Sequence, residues 1–219
     1  MIEALVEVWS VGSNQSIPVR PRSHAHLHLL VEGWLVRSQT LSDGGRQITD
    51  IVLPGDLCGW AAAEFQGTGE DIRACGPTRI AVLRKDVVIE RDLFAVWRSW
   101  ERARDVEARI LRSRLVSLGR RNARARTAHL VAELYHRLRR VGLADSGSFR
   151  CPLTQGQIAD VLGVSPVHIN RVLQELRREG LIAFNKQQVM IPDLARLHVA
   201  ASFDEGLDDV GVEAFCSLI

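Results

Sequence analysis

The 219 residues exceed one ordinary domain and suit two modest ones, or one with an appendage. A hydrophobic fraction of 46% and a charged fraction of 25% exclude a mostly disordered chain, a collagen-like repeat and a disulfide-stapled miniprotein. The formal net charge of +2 averages over unlike parts: residues 1–100 carry 10 Lys/Arg against 12 Asp/Glu, residues 101–200 carry 18 against 9, and residues 201–219 carry none against 5. Only the middle segment calls for a polyanionic partner.

No uninterrupted apolar run approaches ~18 residues, so no membrane-spanning helix is expected. The start, Met1-Ile2-Glu3-Ala4-Leu5-Val6-Glu7, has acids where a secretory leader needs bases, and the expected compartment is the cytoplasm. Cys58, Cys75, Cys151 and Cys216 form no CxxC pair and read as free thiols.

Along the chain, residues 1–25 suggest no element, because Pro18 and Pro21 interrupt regular structure. From His26 to Leu83 the texture is β. Ser42-Asp43-Gly44-Gly45-Arg46 is a hairpin turn between Trp34–Leu41 and Gln47–Leu53, Pro54-Gly55-Asp56 is a second turn, and Arg79–Leu83 is a further strand. Short strands with turn signals indicate a sandwich or barrel. Near Asp86 the texture becomes helical. One long helix is expected from about Val87 to Gly119, and a second from about Ala123 to Val141. Leu93, Trp97, Trp100, Val106, Ile110, Leu115 and Leu118 recur along the first helix, and Trp97 to Leu118 are the candidate dimerisation residues. The same stripe could instead pack on the chain's own β domain.

Residues 154–182 carry the strongest signal. Thr154 and Gln157 form a capping box, so a helix starts there. Gly163 can end it in the left-handed conformation, Ser165 caps the next helix, and Pro166 occupies its first position. Ile169, Val172, Leu173 and Leu176 then form a buried stripe, and Gly180 closes the helix. Two short helices joined by a three-residue turn make a helix-turn-helix. A wing hairpin follows, with Ile182-Ala183-Phe184, a turn at Asn185-Lys186, and Val189-Met190-Ile191. The segment lies in the basic region. The expected partner is double-stranded DNA, with Val167, His168, Asn170 and Arg171 reading bases. Arg171 has the fork for guanine O6 and N7, and Asn170 could pair with adenine or hold a phosphate. Thr154, Gln155, Gln157, Gln174, Arg178 and Lys186 are candidate phosphate contacts.

This order of parts resembles the Crp/Fnr family of bacterial transcription regulators. The resemblance runs from about His26 to Leu197, through Leu30-Val31-Glu32-Gly33-Trp34, Asp43-Gly44-Gly45-Arg46-Gln47, Leu53-Pro54-Gly55-Asp56-Leu57-Cys58-Gly59 and Leu153–Ile182. It implies an α+β chain: an N-terminal antiparallel β-roll of jelly-roll type, a long dimerisation helix, and a C-terminal winged helix-turn-helix. The corresponding divisions are 1–90, 91–120 and 121–200, with an acidic tail at 201–219. It further implies a homodimer on a palindromic site and RNA polymerase as a partner.

The departures are informative. Cyclic-nucleotide binders have Gly-Glu after the aspartate turn and an Arg-Ser pair soon after; here Gly59 precedes Trp60, and Phe65-Gln66-Gly67-Thr68-Gly69-Glu70 holds no Arg-Ser. Cyclic AMP is therefore not expected. A cysteine-ligated iron–sulfur cluster is not expected either, since no cysteine precedes Cys58. In the recognition helix Val167 stands in a Glu place and Asn170 in a Ser place, while Arg171 keeps the Arg, so the target is expected to differ from the familiar one. The N-terminus looks short, as though the β-roll lacked a strand.

Two other readings compete. His24, His26 and His28 alternate, and His26-x-His28-x-x-x-Glu32 resembles a cupin metal motif, the basis for a metal-dependent enzyme or a metal or haem sensor. No histidine follows Pro54-Gly55 to complete such a site, and no phosphate loop or nucleophile–base set appears, so no enzyme activity is expected. Arg120, Arg121, Arg124 and Arg126 could face acidic lipid, but no large aromatic face opposes them.

Overall fold

The structure, a computed structural model, describes residues 5–17, 26–58, 70–84, 86 and 93–204, with the side chains of 70, 93–100, 102 and 103 excepted. His24, Gly59, Trp60, the stretch 65–69, Cys216 and nearly all of the acidic tail lie outside the described residues. The chain divides into two compact units, one on residues through Asp105 and the other on those from Val106. No helix among the described residues is long and apolar enough to cross a membrane.

The first unit contains six strands: β1 (Leu5–Val11), β2 (His26–Glu32), β3 (Leu35–Thr40), β4 (Arg46–Val52), β5 (Glu70–Ala74) and β6 (Thr78–Arg84). They form two antiparallel sheets, ordered β1-β6-β2 and β4-β3-β5. Leu30 and Ile80 from the first sheet meet Leu35, Val52, Ile72 and Ala74 from the second in one core with Ile17 and Cys58. Strand alternation puts Leu27, Leu29, Ala81 and Leu83 on the opposite face, in a second cluster with Leu57. Burial pushes the Cys58 thiol up to about 12, with Asp56 adding to the effect, so it remains protonated and unreactive in the folded state.

Strands β3, β4 and β6 fall where the turn signals put them. β1 and β5 carried no usable signal. β1 is mostly exposed and forms by pairing with β6 some seventy residues away, a long-range partnership that local pattern does not encode. The turn from β2 into β3 depends on Gly33, whose φ is +86°. A Cβ there would lie 2.6 Å from the Pro77 carbonyl oxygen and 2.8 Å from Thr78 Cα. Gly33→Ala is therefore expected to lower unfolding free energy by about 2 kcal/mol or more, read from a denaturant midpoint shift at unchanged slope.

Helix α1 is described over Leu93–Arg120 and runs from the first unit into the second, while the expected start near Val87 lies outside the described residues. In the second unit it is followed by α2 (Ala123–Arg140), β7 (Ala144–Asp145), β8 (Ser148–Arg150), α3 (Gln155–Leu162), α4 (Pro166–Arg178), β9 (Ala183–Asn185), β10 (Gln188–Met190) and α5 (Leu194–Ala201). The strands form one sheet ordered β7-β8-β10-β9.

Helix α2 is the centre of this unit. Asn122 caps it by accepting from the Ala125 N–H at 2.9 Å, and every residue from Thr127 to Leu138 is buried, polar ones included. The polar residues are buried because they are paired. Glu133 accepts from Arg137 at 3.2 Å and from Arg114 at 3.3 Å. The Nε2 atoms of His136 and His198 lie 2.9 Å apart, with Phe203 stacked on both rings, which docks α5 onto α2. Removing one partner of a buried ion pair leaves the other desolvated. Glu133→Ala is expected to destabilise the protein by about 3 kcal/mol, and thermal unfolding measures it directly.

Candidate nucleic-acid interface

Helices α3 and α4 make the site, and local chemistry dictates each boundary. Thr154 Oγ1 accepts from the Gln157 N–H at 3.1 Å while Gln157 Oε1 accepts from the Thr154 N–H at 2.9 Å, the capping box in full. Ile158, Ala159, Val161 and Leu162 face inward. Gly163 takes φ 63°, ψ 41°, a conformation that turns the chain at little cost only for a residue without a Cβ. The Val164 N–H then donates to the Ala159 carbonyl at 3.1 Å. Ser165 Oγ accepts from the His168 N–H at 3.2 Å, Pro166 opens α4, and Ile169, Val172, Leu173 and Leu176 are buried. The inner stripe fixes the outer one: Val167 is 65% exposed, His168, Arg171, Gln174 and Arg178 are exposed, and Asn170 is partly so.

Several of the unit's cations are used internally. Arg124 forms a two-pronged pair with Glu179, Nε to Oε1 at 3.1 Å, and reaches Glu175 at 3.6 Å, tying α2 to α4. The hydrogen bond from Arg124 holds the Glu179 carboxyl below its usual range, with the guanidinium charge adding to it. Arg126 Nη1 donates to the Leu162 carbonyl at 2.9 Å, at the negative end of α3. Arg121 donates to Ser117 Oγ at 2.7 Å and to the Ser202 carbonyl at 3.1 Å. These pairings account for three of the four arginines that could have faced lipid. Arg171, by contrast, has no carboxylate partner among the described residues, and Arg178 only helps, through its charge, to hold the Glu179 carboxyl down.

The wing is β9 and β10, turned at Lys186 with φ 56°. It is continuous with the β7–β8 hairpin, which the sequence reading did not anticipate: Gln188 pairs with Arg150, and Arg150 donates through Nε and Nη2 to Gln187 Oε1 at 3.1 and 2.9 Å. The Arg177 guanidinium lies 4.9 Å over the Phe184 ring and seats the wing strand against the end of α4. Lys186 and Gln187 are exposed at its tip.

The other predicted residues fall as follows. Trp97 and Trp100 belong to α1, with side chains outside the described set. Val106 is half-buried and Ile110 buried, so they face into the chain. Leu115 and Leu118 are 72% and 41% exposed, and Leu111, not anticipated, is 47% exposed. Leu111, Leu115 and Leu118 stand at i, i+4, i+7, an open apolar stripe on the outer side of the helix. His26 and His28 share a side of β2 with Leu30. The His28 ring lies 5.0 Å from Trp9, and burial holds its pKa below the usual value, with His26 adding to the effect and Glu7 opposing it. Glu32 is exposed and pairs with Arg79 at 3.7 Å. Among the described residues no three His, Cys, Asp or Glu side chains converge closely enough to hold a metal ion.

Comparison with known proteins agrees with this geometry. Residues 125–199 match the model of a Crp-like helix-turn-helix domain. The chain is 30% identical over 182 residues to the transcriptional activator protein FnrL of Cereibacter sphaeroides, covering 80% of this chain and 72% of that protein. It is 28% identical over 188 residues to the transcriptional activatory protein AadR of Rhodopseudomonas palustris, covering 81% and 72%. Among solved structures it is similar to FixK2 from Bradyrhizobium japonicum, with TM-score 0.71 and 24% identity over 89% of this chain and 96% of that one. A CRP-family transcriptional regulator from Thermus thermophilus matches with TM-score 0.67 and 25% identity over the same shares.

Proposed function

Because the chain belongs to the Crp/Fnr family and is a DNA-binding transcription regulator of that type, we propose that it works as a homodimer whose two α4 helices read the half-sites of a palindrome in adjacent major grooves. The observation that carries this reading is the outer face of α4, where Arg171 is exposed and uncommitted among the described residues while nearby arginines are engaged in the fold. Arg171 reads guanine, and Val167, His168 and Asn170 lie against neighbouring base edges. Thr154, Gln155, Gln157, Gln174, Arg178 and, from the wing, Lys186 fix the register on phosphates.

Residues 1–90 form the sensor-like part, 91–120 the dimerisation helix and 121–200 the DNA reader, with 201–219 an acidic tail. The open stripe of Leu111, Leu115 and Leu118 supplies the helix contact between chains. The protein acts in the cytoplasm by binding rather than by catalysis, contacts RNA polymerase when bound, and does not depend on cyclic AMP, given Gly59-Trp60 and the missing Arg-Ser. A β-roll signal acts by shifting the population of dimers whose recognition helices are correctly spaced.

Fluorescence anisotropy on a duplex, titrated across salt, tests the reading. Two chains per duplex are expected, with log K falling linearly against log salt at a slope of several units. A single bound chain, or affinity indifferent to salt, contradicts it.

A further inference from the structure

The outer face of the helix-turn-helix holds a chain of three amides. Asn170 Nδ2 donates to Gln155 Oε1 at 3.0 Å, from α4 back to the first residue of α3. Gln174 Nε2 donates to Asn170 Oδ1 at 2.9 Å, one turn further along α4. We propose that Gln155 and Gln174 are positioning residues that hold the Asn170 amide in place with one donor and one acceptor left over, and that Asn170 so held reads an A·T base pair beside the G·C pair read by Arg171. The proposal rests on the reading of α4 as the base-reading helix.

The argument is one of hydrogen-bond capacity. A primary amide has two N–H donors and two lone pairs on its oxygen. The relay uses one of each on Asn170, on opposite sides, and leaves one donor and one acceptor. Adenine's major-groove edge asks for that pair, since N7 accepts and N6–H donates. A free asparagine could turn its amide over and present the two groups in reversed order. Here Asn170 cannot turn alone, since that would put Nδ2 against Gln174 Nε2 and Oδ1 against Gln155 Oε1; the three amides turn only together, and in either sense Asn170 keeps one donor and one acceptor for the base. The relay therefore supplies, before DNA arrives, the ordering that a mobile side chain would have to undergo on binding. It spans both helices of the motif, so the reading group is referenced to the helix that rests on the backbone as well as to the one in the groove.

The test uses the full-length dimer and a panel of duplexes built on its selected site, with each half-site position changed in turn and affinity read by anisotropy. Wild-type protein is expected to prefer A·T at one position next to the Arg171-dependent G·C by about tenfold per half-site. Asn170→Ser should reduce that preference to within twofold. Gln174→Leu and Gln155→Leu, which leave Asn170 in place, should reduce it to about threefold. Gln174→Lys restores a donor to Asn170 Oδ1 and should keep the preference while raising affinity for every sequence alike. Circular dichroism of each variant reports folding, and all three positions lie on the surface.

An A·T preference that survives Asn170→Ser, or relay variants that discriminate as wild type does, overturns the proposal while the Arg171 contact stands. A panel in which neither Arg171→Ala nor Asn170→Ser changes any base preference overturns the reading of α4 as well.

Discussion

Arg171→Ala is expected to weaken binding to the selected palindrome by on the order of 10²–10³-fold, while binding to unrelated duplex falls only a few-fold. The size follows from a bidentate guanine contact worth ~1–3 kcal/mol of discrimination, lost in both half-sites of a dimer. The asymmetry follows because non-specific affinity comes from counterion release along the whole basic face, of which Arg171 is one charge. Arg171→Lys keeps the charge but not the fork, and should lose nearly as much specific affinity as the alanine variant while keeping the salt slope. The two variants together separate base reading from charge. Equal losses on specific and non-specific duplex would mean that Arg171 acts as a phosphate contact. The fold should be indifferent to both changes, because the stripe that anchors α4, Ile169, Val172, Leu173 and Leu176, lies on the other side of the helix.

The second large effect is expected at Leu115, the most exposed member of the open stripe on α1. A leucine that leaves water on association contributes about 1.5–3 kcal/mol, and a two-fold contact contains it twice. Leu115→Glu is therefore expected to raise the dimer dissociation constant by 10²-fold or more, with ~3 kcal/mol as the lower bound from burial alone. Analytical ultracentrifugation across concentration measures this directly. DNA affinity should fall in parallel and recover at high protein concentration, because a monomer holds only one half-site. Ile110→Glu makes a useful contrast: Ile110 is buried within the chain, so that change should lower thermal stability rather than only the association constant. A Leu115→Glu protein that remains fully dimeric would assign the exposed stripe another role.

The helix-turn-helix was legible nearly residue by residue, because its limits are set by local chemistry. Thr154 with Gln157, Gly163, and Ser165 with Pro166 each mark a boundary through a bond made within a few residues, and the structure has all three. The hairpin of β3 and β4 was readable for the same reason: Asp43 Oδ1 accepts from the Gly45 N–H at 2.9 Å within the turn. What escaped depends on distant partners. β1 needs β6, the β7–β8 hairpin needs the wing strand β10, and α5 is held by His136 and Phe203. The burial of His129, Glu133, His136 and Arg137 on α2 likewise depends on distant groups, since Arg114, His198 and Phe203 meet them. On α1 the sequence suggested one apolar stripe where the helix has two, an inner one through Ile110 and an outer one through Leu115, and adding Leu111 sorts them. In the site, Gln155 and Gln174 were read only as phosphate contacts, since nothing in their spacing announces a hydrogen bond across the turn to Asn170.

Selection of binding sites from a pool of random duplex DNA by the full-length protein tests the central claim most directly. An inverted repeat is predicted, with half-site centres about 10–10.5 base pairs apart, about one helical turn, and a G·C pair in each half whose enrichment disappears for Arg171→Ala. Failure to enrich any sequence, or enrichment of a single unrepeated motif insensitive to Arg171, would contradict the account.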